Sequence, residues 1–318
     1  MKILIAGAAG FIGSHLTDAL LELGHEVIGV DNFITGRAVN IAHLADEPRF
    51  RLVEHNITTP LELSEGVDQV FHLASPASPV GYMRNPIETH LTNSIGTYNL
   101  LNFASQHQAS FLFASTSEAY GDPEVHPQPE TYFGNVNPVG PRSCYDESKR
   151  FGESITMEFV RNFDLNARII RIFNTYGPRS DPNDGRVIPA FIMAALQDKP
   201  LTIFGDGNQT RSLCYVTDLV QGIIRAMNCD NTRGEVINLG NPDERSVLAI
   251  AETIIENCGS QSRIDFMEAR ADDPYVRCPN IDKAIRLLDW SATTGIEDGF
   301  RATIDDLSAY VSTTRKQG

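Results

Sequence analysis

Residues 2–13 read KILIAGAAGFIG. A short run rich in isoleucine ends on Gly7, and Gly10 and Gly13 follow at three-residue steps. A stretch of helical period, SHLTDALLELG (14–24), comes next. Strand, glycine turn and helix in that order form a cradle for a diphosphate. The glycines let the backbone approach the ligand, and the first helical amides point at its charge. Gly7, Gly10, Phe11, Ile12 and Gly13 are therefore candidate cofactor contacts. A second run, EVIGVD (26–31), ends on Asp31, 18 residues beyond Gly13. An acid there can accept hydrogen bonds from an adenosine ribose and would repel a 2′-phosphate, which favours NAD over NADP. Arg37, close behind, pulls weakly the other way.

The alternation continues outward. FRLVEHN (50–56), QVFHLAS (69–75), FLFAST (111–116) and ARIIRIF (167–173) read as further buried strands, with a helical pattern at TNSIGTYNLLNFASQ (92–106). Strands and helices in alternation imply right-handed crossovers and a Rossmann-type, doubly wound parallel sheet. After residue 175 a loop rich in proline, asparagine and glycine breaks the pattern. Helical stretches at 187–198, 216–227, about 246–258 and about 281–289 follow, with short strands LTIFG and EVINLG. The expected division is a dinucleotide-binding domain of 1–175 plus about 215–243. A smaller, interleaved C-terminal α/β domain for the substrate takes about 176–214 plus 244–318.

Composition bounds the partners. The 318 residues carry a net charge of −15, which repels nucleic acid and anionic membrane. Five cysteines, an odd number with no CxxC pair, fit a reducing, cytoplasmic setting and argue against a disulfide frame or zinc site. No apolar run approaches the ~20 residues of a membrane span. His15, His72 and His126 are given no ligand role, and no metal is expected.

CYDESKR (144–150) places Tyr145 and Lys149 four apart, on one face of a helix. Alone, that spacing also suits a solvated surface helix. The glycine fingerprint with Tyr145 and Lys149 far downstream resembles the extended short-chain dehydrogenase/reductase superfamily. Longer stretches narrow the likeness: HLASPAS (72–78), STSEAYGDPEVHPQPE (115–130), NPVGPRSCYDESKR (137–150), RIFNTYGPR (171–179), NDGRVIPAFI (183–192), GNQTRSLCYVTDL (207–219) and DDPYVRCPNI (272–281). These resemble the UDP-glucuronate decarboxylase, or UDP-xylose synthase, family.

The resemblance implies an NAD-dependent carboxy-lyase acting on UDP-glucuronate through a 4-keto intermediate. Its product is UDP-xylose or the released UDP-4-keto-pentose. Tyr145, Lys149, Thr116, Glu118 and Arg277 are its implied catalytic residues. Asn32, Gly36, Asn56, Ile57, Leu73 and Ala74 join the cofactor contacts. Ser75, Asn174, Arg186, Gln209 and Arg211 join Thr116, Glu118, Tyr145 and Arg277 at the substrate, with Leu201, Ile203 and Phe204 flanking the uracil. A homodimer is implied, with Phe151, Ile155 and Phe159 as an apolar stripe on the helix that carries Tyr145. Thr116-Ser117-Glu118 lacks the Asp-Glu pair of a 4,6-dehydratase. A UDP-sugar 4-epimerase remains the same-class alternative, and a non-catalytic NAD sensor the different one. The chain departs from the family at Leu91 and Cys278, where lysine is usual, and at Asn56, where aspartate is usual.

Overall fold

The computed structural model describes residues 1–63, 65–268 and 275–317. Asp272, Asp273 and Pro274 of the DDPYVRCPNI stretch lie outside the described residues, as do the rest of 269–274, residue 64 and residue 318. The first strands are β1 (Lys2–Ala6), β2 (Glu26–Asp31), β3 (Phe50–Glu54), β4 (Gln69–His72), β5 (Ser110–Thr116) and β6 (Ala167–Ile172). Short strands β7 (Thr175–Tyr176), β8 (Leu201–Phe204), β9 (Thr210–Ser212) and β10 (Cys214–Tyr215) precede β11 (Val236–Leu239). Seven strands form one sheet in the order β11-β6-β5-β4-β1-β2-β3. Every adjacent pair is parallel. The order reverses between β1 and β4, and crevices at such reversals hold ligands beyond the strands' carboxyl ends.

Side chains alternate across the strands, so each face needs its own cover. Ile3 and Ile5 face one way, packed with Leu16 and Leu20 of α1 (Phe11–Glu22). Leu4 and Ala6 face the other, against Leu100 and Leu101 of α4 (Thr97–His107). Helices α2 (Pro79–Arg84) and α3 (Pro86–Leu91) lead into α4 through a π-helical turn, Thr92–Gly96. The expected helix over 92–106 therefore contains a distortion that hydrophobic periodicity does not reveal. Helix α5 (Ser143–Phe163) packs beside α4 on the same face, under β5 and β6.

Helix α6 (Val187–Ala195) lies in the second half, and α7 (Val216–Asn228) covers the α1 face. Strand β12 (Glu244–Ser246) pairs antiparallel with β9, followed by α8 (Val247–Cys258), β13 (Ile264–Met267), α9 (Asp282–Leu288) and α10 (Ile296–Gln317). Phe191, Leu201, Ile203, Ile250, Ile254 and Phe300 form a separate core from α6, β8, α8 and α10. No helix among the described residues is long and apolar enough to cross a membrane.

Two expectations need correcting. FRLVEHN is not a buried strand. β3 is the sheet edge, with Arg51, Leu52 and Glu54 exposed, and charges of this kind discourage edge-to-edge pairing. The sequence reading also missed α10, the longest helix among the described residues. Its polar residues outweigh a narrow apolar row at Phe300, Ile304, Leu307 and Val311.

The contact between α5 and β5 sets how close Lys149 comes to the sheet. A Cβ on Gly152 would sit 2.3 Å from Cζ of the fully buried Phe113. Gly152→Ala should cost about 1–3 kcal/mol through overpacking. Guanidinium unfolding with an unchanged midpoint would contradict this packing.

Candidate active site

The glycine turn follows directly from β1. Gly7 takes φ +88°, and a Cβ there would press 2.8 Å from the backbone nitrogen of Ala74. A Cβ on Gly13 would collide with the Gly7 carbonyl at 2.0 Å. Both glycines are thus demanded by the turn, which aims the start of α1 into the crevice. Asp31 closes the turn from β2. Its carboxylate accepts from the amides of Ala9 and Phe33, each at 2.9 Å. Burial pushes its pKa up while those amides oppose the rise. A cavity of about 60 Å³ opens beside it, lined by Asp31, Asn32, Gly36, Asn56, Ile57 and Ala74. Gly7, Gly10, Leu73 and Ser75 line both this cavity and a larger cleft. The paired cavities over a glycine cradle fit an extended dinucleotide.

The larger cleft encloses about 720 Å³. Phe11, Ile12 and Gly13 line it, as do Thr116, Glu118, Tyr145 and Lys149. From the second half come Asn174, Arg186, Ile203, Phe204, Gln209 and Arg211, with Arg277 arriving from near the C-terminus. Leu201 does not belong there. It is fully buried in the C-terminal core, and its neighbours Pro200 and Thr202 reach the cleft instead. The Leu201 side chain is taken up wholly by that core and leaves no surface to face a ligand. Leu91 is not part of the cleft lining and is 38% exposed on α3.

Tyr145 and Lys149 occupy successive turns of α5. The Lys149 ammonium donates to the Ala114 carbonyl at 2.7 Å, 5.0 Å from the Phe113 ring centroid and 5.9 Å from that of Tyr145. Burial pushes the Lys149 pKa down to about 7, against the attraction of Glu153. Burial pushes the Tyr145 pKa up to about 12, with the Thr116 hydroxyl opposing by hydrogen bonding. The Thr116 hydroxyl also accepts from the Glu118 amide at 3.2 Å, starting the 3-10 turn Ser117–Tyr120.

Several neighbours were not singled out in the sequence. Tyr82 stacks on Tyr145, centroids 5.1 Å apart and planes 9° apart. Arg142, one helical turn before Tyr145, pairs with Glu118. Arg277 approaches the same carboxylate at 3.4 Å and donates to the carbonyls of Ser117 and of Gly121, the latter at 3.0 Å. Burial raises the Glu118 pKa, but Arg277, Arg142 and Arg211 outweigh it and hold the carboxyl below its usual range. Behind the pair, Glu153 accepts from the Ser115 hydroxyl at 2.5 Å and from Arg171 at 2.9 and 2.7 Å. This buried ion pair fixes the end of β5 relative to α5. Asn93, in the π turn, donates to the hydroxyls of Ser75 and Ser148, both at 3.0 Å. Distortions of this kind often position a functional side chain. Only Arg142 had a sequence signal, its place three residues before Tyr145.

His72 is fully buried between Phe111 and Phe113 and bonds the Thr97 hydroxyl at 3.0 Å. The cleft lining holds eight cationic side chains against three acidic ones, Glu118, Asp181 and Asp184. In a chain of net charge −15 that concentration marks a site for an anion.

Asp146, beside Tyr145, is buried, and its Oδ1 has no hydrogen-bond partner. Burial, then the Glu118 charge, raises its pKa to about 7 from 3.8, against Arg142 and Arg277. The folded state thus holds a proton that the unfolded state has released between pH 3.8 and 7, so this group's contribution to stability falls as pH rises through that window. Asp146→Asn removes the buried charge. Its melting temperature relative to wild type should climb from pH 5 to pH 8, and a flat difference would contradict this.

The family model described as NAD dependent epimerase/dehydratase matches residues 3–240. UDP-glucuronic acid decarboxylase 1 of Xenopus tropicalis is 50% identical over 303 residues, covering 95% of this chain and 71% of that protein. UDP-glucuronic acid decarboxylase 1 of Arabidopsis thaliana is 47% identical over 306 residues, covering 96% and 69%. Among solved structures, UDP-glucuronic acid 4-epimerase from Bacillus cereus, in complex with UDP-glucuronic acid and NAD, is 32% identical with a TM-score of 0.86, covering 98% of this chain and 100% of that one. UDP-glucose 4-epimerase from Thermotoga maritima, with UDP-glucose, is 30% identical with a TM-score of 0.87 over the same shares. The chain belongs to the NAD-dependent epimerase/dehydratase family and, within it, to the UDP-glucuronic acid decarboxylases.

Proposed function

We propose that this chain decarboxylates UDP-glucuronate by oxidising C4 of the sugar for the duration of one turnover. The observation that carries the reading is Tyr145 and Lys149 at the floor of a cationic cleft that also holds Glu118 between two arginines. The Gly7–Gly13 turn, Asp31, Asn56 and the floor of the cleft would hold NAD, which when bound supplies the hydride acceptor and donor. Tyr145 takes the C4 hydroxyl proton. Thr116 bonds the same hydroxyl, and Lys149 favours the phenolate. A ketone at C4 makes the C6 carboxylate part of a β-keto acid. The C5–C6 bond then breaks, its electrons enter an enolate, and carbon dioxide leaves. Glu118, kept ionised by Arg277, Arg142 and Arg211, would orient the water that protonates C5, with Arg277 beside it. With the hydride available from bound NAD, Tyr145 would give its proton back to the C4 oxygen and the product would be UDP-xylose; release before that step would give the 4-keto-pentose. Ser117 stands where a dehydratase has an acid, so nothing beside Thr116 protonates a leaving hydroxyl at C6.

The cationic cleft would take the diphosphate and carboxylate through Arg186, Arg211 and Arg277, with Asn174 and Gln209 as polar partners. Ile203 and Phe204 would flank the uracil. We assign the dinucleotide to 1–175 plus about 215–243 and the nucleotide sugar to the remainder. The homodimer is proposed through α4 and α5. Phe159 of the expected stripe is buried against Tyr98, whereas Phe151 is 47% exposed. Ile87, Ile95 and Tyr98 are exposed as well. Phe151→Glu should shift the protein to monomer in light scattering, and an unchanged mass would overturn this interface.

Mass spectrometry after incubation with UDP-glucuronate should show loss of the mass of carbon dioxide. An unchanged mass with altered chromatography would favour 4-epimerisation. Tyr145→Phe should lower turnover by about 10²–10⁴-fold, the range for a lost general base. Turnover equal to wild type would overturn the role given to Tyr145.

A further inference from the structure

Outside the cleft, three segments distant in sequence converge on His126, Glu244 and Cys278. The reactive atoms of the three all lie within 4.8 Å of one another. Nε2 of His126 is 3.1 Å from Oε2 of Glu244. Glu244 is steadied through its other oxygen by the Thr210 hydroxyl, across the β9–β12 pair. Cys278 is 4% exposed, and its backbone is clamped to Gln128. Its amide donates to Gln128 Oε1 at 3.0 Å, and its carbonyl accepts from the Gln128 amide at 2.9 Å. The exposed histidine and half-buried carboxylate leave an approach from solvent, and the thiol forms the inner wall.

A nitrogen, an oxygen and a sulfur donor is a set that zinc-class divalent ions take. A tetrahedral ion bonded at ~2.0–2.3 Å needs its ligand atoms roughly 3.3–3.8 Å apart. The imidazole and carboxylate already approach that spacing, so the thiol needs to move by about one ångström. A second observation favours the site. The Ser212 hydroxyl is 1% exposed and has no hydrogen-bond partner among the described residues. Ser212 is also the residue paired with Glu244 between β9 and β12.

We propose that His126, Glu244 and Cys278 form a binding site for a divalent transition-metal ion of the zinc class, completed by water. Binding replaces the thiol proton, which passes to solvent, with a sulfur–metal bond; no electron changes hands. The ion fastens the 122–128 loop and β12 to the segment that carries Arg277, the neighbour of Cys278. It therefore braces one wall of the cleft from behind without entering it. The sequence reading gave His126 no ligand role because its partners lie more than a hundred residues away.

The test uses tag-free protein dialysed against a chelator, with cobalt(II) as the probe and zinc as the competitor. One cobalt per chain should bind with a near-ultraviolet thiolate-to-cobalt band that equimolar zinc erases. Cys278→Ser should abolish that band and weaken zinc binding by more than ~10-fold, whereas Cys258→Ser should keep both. Zinc should raise the melting temperature of wild type but not that of Cys278→Ser. His126→Asn and Glu244→Gln, both at the solvent side, should each weaken zinc binding and keep the proposal testable if the cysteine variant misfolds. Absence of the band, its survival in Cys278→Ser, or unchanged zinc affinity in both solvent-side variants would overturn the proposal.

Discussion

Lys149 is fastened to the Ala114 carbonyl at 2.7 Å, at a depth where water no longer helps to carry its charge. Burial pulls the amine and the nearby phenol toward their neutral forms, Lys149 to about 7 and Tyr145 to about 12. Bringing a phenol from about 12 to neutrality takes about 7 kcal/mol of added preference for the phenolate. Lys149 as a cation, the Thr116 hydroxyl and a positively charged ligand beside the ring are the available sources. The fold accordingly favours reaction only when the cleft is filled. The Glu153–Arg171 pair, with Ser115 on the same carboxylate, keeps the strand end and the helix in the geometry this requires. Glu153 also opposes the loss of the Lys149 charge.

The second constraint is electrostatic crowding around Glu118. A carboxylate at the end of β5 would become neutral if it were buried alone. Arg142 arrives from the start of α5 and Arg277 from beyond β13, and together with Arg211 they keep it ionised. The same arginines supply positive charge to a cleft in an acidic protein. In the proposed reaction this one group of side chains would meet two demands: attraction of an anionic nucleotide sugar and an ionised carboxylate near the carbon that loses its carboxyl group.

What the sequence revealed was mostly local. KILIAGAAGFIG carries its fold in one strand, one turn and one helix, and Tyr145 and Lys149 are separated by a single helical turn. The resemblance placed Arg277 at the site, but its bonds to Ser117, Gly121 and Glu118 span more than 150 residues and needed coordinates. Arg142 passed unnoticed because a charge at the start of a helix usually faces water. Leu201 was misplaced because an apolar residue in a short strand can serve a core as readily as a ligand, and here it is fully buried in the C-terminal core. Helix α10 was hidden by a polar composition, and β3 looked buried because composition does not mark a sheet edge.

The central claim is that carbon dioxide leaves only after C4 has been oxidised. The direct measurement is rapid mixing of NAD-loaded protein with UDP-glucuronate, following reduced-nicotinamide absorbance and carbon dioxide in one experiment. The account predicts that the absorbance rises no later than carbon dioxide appears and decays as UDP-xylose forms. Carbon dioxide released in full, with no reduced nicotinamide at any time, would contradict it.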